Sequence, residues 1–224
     1  MGSEMCIRDS LDLALNYALT KIMNAIEGRD DDLHILNLVT VDEKNIPNTR
    51  NVVIRDFSEE KLTIRFHTDK RSSKISDIQN NNKISLLGYE RKDKLQIRFD
   101  AEATIIDSDE FLLDIWKGMY PMSRECYRVI ESPGSKIKSL EDIKFEEEDD
   151  QGLNGFENFV AVSCDIQSIE VLYLHHAGHL RASYINNNGK LNGDMATTMP
   201  TGTRTVNPNF ISLPGAASSG IVSP

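Results

Sequence analysis

The residues from Asn48 to Ile105 carry the types and spacing from which chemistry can be built. Arg50 and Arg55 sit in TRNVVIR. FHTDKRSSK then delivers His67, Thr68, Asp69, Lys70, Arg71, Ser72, Ser73 and Lys74 where a strand gives way to a short helix marked by Ile75 and Ile78. The first turn of a helix leaves backbone N–H groups unpaired and carries partial positive charge, so hydroxyls and cations gathered there suit a phosphate monoester. Lys74 is the stronger phosphate candidate in this turn, and one of Ser72 and Ser73 is expected to cap the helix.

Arg50 and Arg55, taken alone, would pass for solvated cations of an edge strand; the adjoining turn is what makes them site residues. Their odd separation puts them on opposite faces of a regular strand unless a bulge intervenes, so only one of them reaches a phosphate. From Leu95 to Ile105 the alternation is clean. Leu95, Ile97, Phe99, Ala101, Ala103 and Ile105 share one face, while Gln96, Arg98, Asp100, Glu102 and Thr104 share the other. Gln96 and Arg98 are therefore held on a rigid wall and offered to a planar ligand or a partner subunit.

TRNVVIR, FHTDKRSSK and LQIR at these intervals resemble the pyridoxamine 5'-phosphate oxidase-like split barrels that bind flavin mononucleotide (FMN). WKGMYPMSR from Trp116 to Arg124, SPG from Ser132 to Gly134, Asn158-Phe159, and the stretch Val171 to Tyr184 ending in HLRASY follow in the same order, so the resemblance spans about Leu11 to Tyr184. It implies a mainly β fold with flanking helices: a six-stranded antiparallel split β-barrel of the α+β class. It implies FMN contacts from Arg50, Val53, Ile54, Arg55, His67, Thr68, Arg71, Ser72, Ser73, Lys74, Gln96 and Arg181, with Arg50 on the phosphate side and Arg55 on the ring and substrate side. It further implies that His179 touches substrate, that Gln96 acts across a homodimer interface, and that the activity is oxidoreduction of a small molecule at flavin N5. The alternatives are a flavin-binding module that stores or senses cofactor and, more remotely, a haem-binding split barrel. Leu172 stands where the family has an aromatic residue, and the arginines that grip a second phosphate in the oxidase are not evident around Trp116 to Ser123 or Ala177 to Arg181. Pyridoxamine 5'-phosphate is accordingly not the expected substrate.

The elements that must position these residues are legible in outline. Leu11, Leu15, Ala18, Leu19, Ile22 and Ile26 recur at helical spacing and predict an amphipathic helix over one end of the barrel, ended by Gly28 and the acidic run Asp30 to Asp32. Strands are expected at Leu33 to Val41, Leu62 to Phe66, Phe159 to Cys164 and Ile169 to Leu174, with Leu180 to Ile185 as the closing strand. Helices are expected from Asp107 to Trp116, capped by Ser108, and from Ser123 to Ile130; Lys136 to Gly155 reads as a solvated, mobile loop. Trp116 and Tyr120 read as core aromatics.

A chain of 224 residues with 39% hydrophobic content fits one domain, placed at residues 11–191. Residues 1–10 are set aside as non-native or disordered, and residues 192–224 as a disordered tail. A net charge of −10 argues against nucleic acid or an anionic membrane as partner. Cys6, Cys126 and Cys164 show no CxxC spacing and fit a reducing compartment. No apolar run reaches bilayer-spanning length, and the expectation is a cytoplasmic protein. His175, His176 and His179 have no carboxylate or cysteine at a ligand interval, so no metal is expected.

Overall fold

The structure, a computed structural model, describes residues 10–147, 149–175 and 178–198. Helix α1 (Leu11–Glu27) starts at Ser10, whose side chain accepts from the Leu13 N–H, and ends where the Gly28 N–H bonds Asn24 O. Its buried stripe of Ala14, Ala18, Leu19, Ile22 and Ala25 joins the barrel core. The exposed side of the helix is tied down as well. Tyr17 donates to Asp93, and Lys21 bridges Asp93 at 2.7 Å and Glu90 at 3.2 Å. Burial and the Asp93 bond push the Tyr17 hydroxyl up to about 12.

Strands β1 (Ile35–Val41), β2 (Pro47–Ser58) and β3 (Thr63–Asp69) form a meander. Helix α2 (Ser73–Asn80) intervenes before β4 (Lys83–Glu90) and β5 (Leu95–Ile106). Helices α3 (Asp109–Gly118) and α4 (Pro121–Arg124) then lead through a long connection to β6 (Phe159–Tyr173), β7 (His179–Asn187) and β8 (Lys190–Thr198). All pairings are antiparallel, in the order β3-β2-β1-β4-β5-β6-β7-β8, and β3 also pairs with β6. That last pairing closes a six-stranded barrel, as expected, and leaves β7 and β8 outside it.

Strand β6 explains how the barrel is split. Its first half, Phe159 to Asp165, pairs with β3, whereas its second half, Ser168 to Tyr173, runs past β3 and pairs with β7. The two strands expected at Phe159–Cys164 and Ile169–Leu174 are thus one. A bulge at Gln167, opposite the Asp100/Ala101 step of β5, resets the alternation, so Ile166 and Ile169 are both buried although an odd number of positions separates them. Closure falls to β6 and not, as expected, to Leu180–Ile185, which lies within β7.

Other expectations are corrected. Residues 192–198, assigned to the tail, belong to β8; Gly193 permits this because a Cβ there would stand 2.5 Å from the Tyr184 ring. The rest of the expected tail and residues 1–9 lie outside the described residues. Ser123–Ile130 holds only the end of α4 and a 3-10 turn at Glu125–Tyr127. The acidic connection has local order: Val129 bridges Phe145, and a capping box at Ser139 holds a 3-10 turn. A satellite core of Leu112, Trp116, Tyr127, Phe159 and Ala161 packs α3 against β6, with Trp116 Nε1 donating to Gly152 O at 2.8 Å. Tyr120, expected in the core, is 69% exposed, with Arg29 over its ring.

Candidate functional site

The turn between β3 and α2 gathers a cationic cluster. Thr68 ends the inward face of β3 beyond Ile64 and Phe66, and Ser72 opens α2; both are buried. Lys74 reaches back from the first turn and donates to Thr68 Oγ1 at 2.9 Å and Ser72 Oγ at 3.1 Å. Ser72 occupies the N-cap without bonding the helix through its side chain, so the expected cap is replaced by a hydroxyl turned to Lys74. Arg50 arrives from β2 on the face it shares with buried Val52 and Ile54. Its Nη1 donates to Thr40 Oγ1 at 2.5 Å and Asn48 O at 3.1 Å, and its Nη2 to Asp77 Oδ2 at 3.4 Å. Burial, and then the nearby Arg50 charge, hold the Lys74 ammonium below its ordinary range. Two cations and two hydroxyls thus converge where an anion would offset both their repulsion and their desolvation.

Other predicted residues divide between this cluster and elsewhere. Ser73 is exposed beside it and lines an open cleft of about 500 Å³ between α2 and the β5–α3 junction. Arg71 does not join the cluster: Asp69 takes its Nε and Nη2, while Nη1 and Nη2 also bond Ile130 O and Val129 O. It staples the connecting segment to the turn, using the donors that a ligand would need. Ile54 is fully buried, so its side chain belongs to the core, and Val53 faces outward opposite Ile35.

Arg55 is the extra residue of a bulge between Ile54 and Asp56 and is exposed on the far side of β2 from Arg50. With His67, which alternation turns away from Thr68, it lines a cavity of about 200 Å³ completed by Arg29, Gly118, Met119, Tyr120 and Ser123. Burial, then the Arg65 and Arg55 charges, push the His67 imidazole down to about 3. Its ring packs edge-on against Phe159, and Nε2 has no hydrogen-bond partner among the described residues. His67 is therefore a neutral group between cations. Arg29 was missed by sequence reasoning because it follows α1 in a charged turn without any motif. Asp77 was missed too, although its place three residues after Lys74 puts both on one side of α2.

Gln96, Arg181 and His179 lie elsewhere. Gln96 is paired with Leu172, and Leu172 with Arg181, on the outer face of β5, β6 and β7. Arg98 and Arg181 share Glu170 at 3.5 and 3.6 Å. His179 opens β7, its Nδ1 accepting from the His175 N–H at 3.2 Å; His176 lies outside the described residues. Along β6, the Val162 position beside Phe66 and the Leu172 position beside Arg181 are about 30 Å apart at a rise of about 3.3 Å per residue. A single chain thus holds Arg55 and His179, both expected at the substrate, well apart.

A closed six-stranded antiparallel barrel with a hydroxyl-and-cation cluster at a helix start is the architecture of an FMN-binding split barrel. Residues 16–107 match the family model described as pyridoxamine 5'-phosphate oxidase, FMN-binding domain. That segment is similar to the FMN-binding domain of the pyridoxamine 5'-phosphate oxidase family. A pyridoxine/pyridoxamine 5'-phosphate oxidase 2 from Hydrogenovibrio crunogenus is 43% identical over 63 residues, which span 26% of this chain and only 29% of that protein. Among solved structures, a pyridoxamine 5'-phosphate oxidase-related, FMN-binding protein of Nostoc punctiforme aligns with a TM-score of 0.63 at 22% identity, covering 82% of this chain and 95% of its own. PhzG of Burkholderia lata, solved with tetrahydrophenazine-1-carboxylic acid, aligns with a TM-score of 0.65 at 15% identity, covering 83% and 92%. At these identities the structural likenesses establish the fold. No described helix is long and apolar enough to cross a membrane.

Proposed function

We propose that this protein is an FMN-dependent oxidoreductase acting on a small anionic substrate, and that Arg50, Thr68, Ser72 and Lys74 hold the FMN phosphate. The convergence of those four side chains from three elements carries the reading. FMN held there would supply hydride-accepting chemistry at N5, and dioxygen or another two-electron acceptor would take the two electrons onward. Arg29 and Arg55, lining one cavity with neutral His67, attract and orient the anionic end of the substrate.

The reading includes a homodimer. Gln96, Arg181 and His179 reach a flavin held at Lys74 only from a second copy, and the outer sheet face carrying Gln96 exposes Ile35, Leu87 and Tyr89. The test is anaerobic bleaching of the flavin followed by oxygen-consumption assays with reduced nicotinamides, pyridoxamine 5'-phosphate and pyridoxine 5'-phosphate. Expected are bleaching and turnover with a reduced nicotinamide or another small anionic donor, and weak turnover of both vitamers. Efficient, saturable oxidation of either vitamer overturns the substrate assignment, and flavin that no donor bleaches overturns the enzymatic one.

A further inference from the structure

The phosphate cluster contains a buried carboxylate that its ligand chemistry does not call for. Asp77 is only 5% exposed. Its Oδ2 accepts from Thr40 Oγ1 at 2.6 Å, Asn48 Nδ2 at 3.3 Å and Arg50 Nη2 at 3.4 Å. A carboxylate beside an anion site opposes the anion, so its burial there needs another reason.

The donors of Arg50 provide it. A guanidinium has five N–H groups in a fixed fork. Both Nη1 protons are taken, by Thr40 Oγ1 and Asn48 O, and one Nη2 proton goes to Asp77. Among the described residues Nε–H and the second Nη2–H take no partner, and these are the adjacent pair that matches two oxygens of a phosphate. Thr40 is fixed in turn, because its hydroxyl donates to Asp77 and accepts from Arg50. Asp77 also lies three residues after Lys74 on α2, so the helix that carries one phosphate cation braces the other.

We infer that Asp77 is a positioning residue: it holds the Arg50 fork with its free edge toward the phosphate, and so sets the preference of the site for FMN over riboflavin. This inference rests on the phosphate reading of the cluster. Asp77 acts through Arg50, so its removal matters only while Arg50 is present.

The test measures affinity of the full chain, stripped of flavin, for FMN and for riboflavin by quenching of flavin fluorescence. The native chain is compared with Asp77→Ala, Asp77→Asn, Arg50→Ala and the Arg50→Ala/Asp77→Ala double variant, and circular dichroism checks folding. Arg50→Ala is expected to lower the FMN-to-riboflavin affinity ratio at least about tenfold. Asp77→Ala should lower it by a similar factor with riboflavin affinity little changed, and the double variant should fall no further than Arg50→Ala. Asp77→Asn, which still accepts from Arg50 without the charge, should fall between native and Asp77→Ala, and it takes over the test if the alanine variant does not fold. A ratio that collapses in Arg50→Ala but survives both Asp77 substitutions overturns the inference and spares the phosphate reading. Losses that add in the double variant overturn it likewise. A ratio indifferent to Arg50→Ala overturns both.

Discussion

At the scale of single residues, the site is a balance of charges that burial makes consequential. A hydrogen bond to a charged group contributes about 1.5–3 kcal/mol, so Lys74→Ala should weaken FMN binding about tenfold or more while leaving riboflavin nearly unaffected. Equal loss for the two flavins would place the phosphate elsewhere. His67 gives a pH dependence of definite sign. Its folded value of about 3 lies below the ordinary 6.5, so between these values the unfolded chain binds the proton more readily. The stability it contributes is complete above pH 6.5 and is lost as pH falls toward 3, by an amount on the order of a few kcal/mol. His67→Gln should flatten the fall in Tm between pH 7 and pH 4; an unchanged slope would show that other groups govern the acid limb. Thr68, Ser72 and Lys74 were legible because they follow one another along a strand end and a helix start, and Arg50 because that turn adjoins its strand in the sequence. Arg29 and Asp77 were not, because the contacts that give them meaning cross between elements.

At the scale of elements, alternation was readable wherever a strand is regular and failed wherever a bulge shifts it. Leu95 to Ile105 declares its two faces outright, whereas DIQS in β6 looks like a turn between two strands. The reason is physical: the bulge at Gln167 changes which residues face inward without ending the strand. The bulge at Arg55 had been allowed for, and only pairing with β3 locates it. Strand β8 went unread since Gly193 and its polar neighbours resemble a tail until Tyr184 is seen packed against the glycine. A comparable close approach lets β4 lie beneath the 3-10 turn at Asp32–His34. A Cβ at Gly88 would meet the Leu33 and Leu36 side chains at 2.6 and 2.7 Å. Gly88→Ala should therefore destabilise the fold by about 1–3 kcal/mol and lower Tm by about 3–10 °C. A variant melting with the native chain would show that this layer repacks freely.

At the scale of the whole molecule, the proposed active site is shared between two copies. Leu87 and Tyr89 stand on the sheet face that bears Gln96, with Leu87 in register with Arg98 and Tyr89 with Gln96 itself. Leu87→Glu should convert the proposed dimer to monomers in sedimentation equilibrium at micromolar concentration and release flavin with it. A flavin-loaded native monomer under those conditions would end the shared-site account. The split in the barrel also has a kinetic consequence. Most strand pairs join neighbours along the chain, but closure joins residues 63–69 to residues 159–165, across α2, β4, β5, α3 and the acidic connection. The entropy of closing so long a loop makes that pairing the slow step of folding, after the local hairpins have formed. Thr40, Arg50, Thr68, Ser72, Lys74 and Asp77 all lie between β1 and α2, far ahead of β6 in the chain, so the phosphate cluster can assemble before the barrel shuts. The chain carries a single tryptophan, Trp116, which packs on Phe159 at the start of β6 and so reports closure directly. On dilution from denaturant, recovery of its native emission should lag the far-ultraviolet signal of the sheets, and simultaneous recovery would show that the barrel closes as its hairpins form.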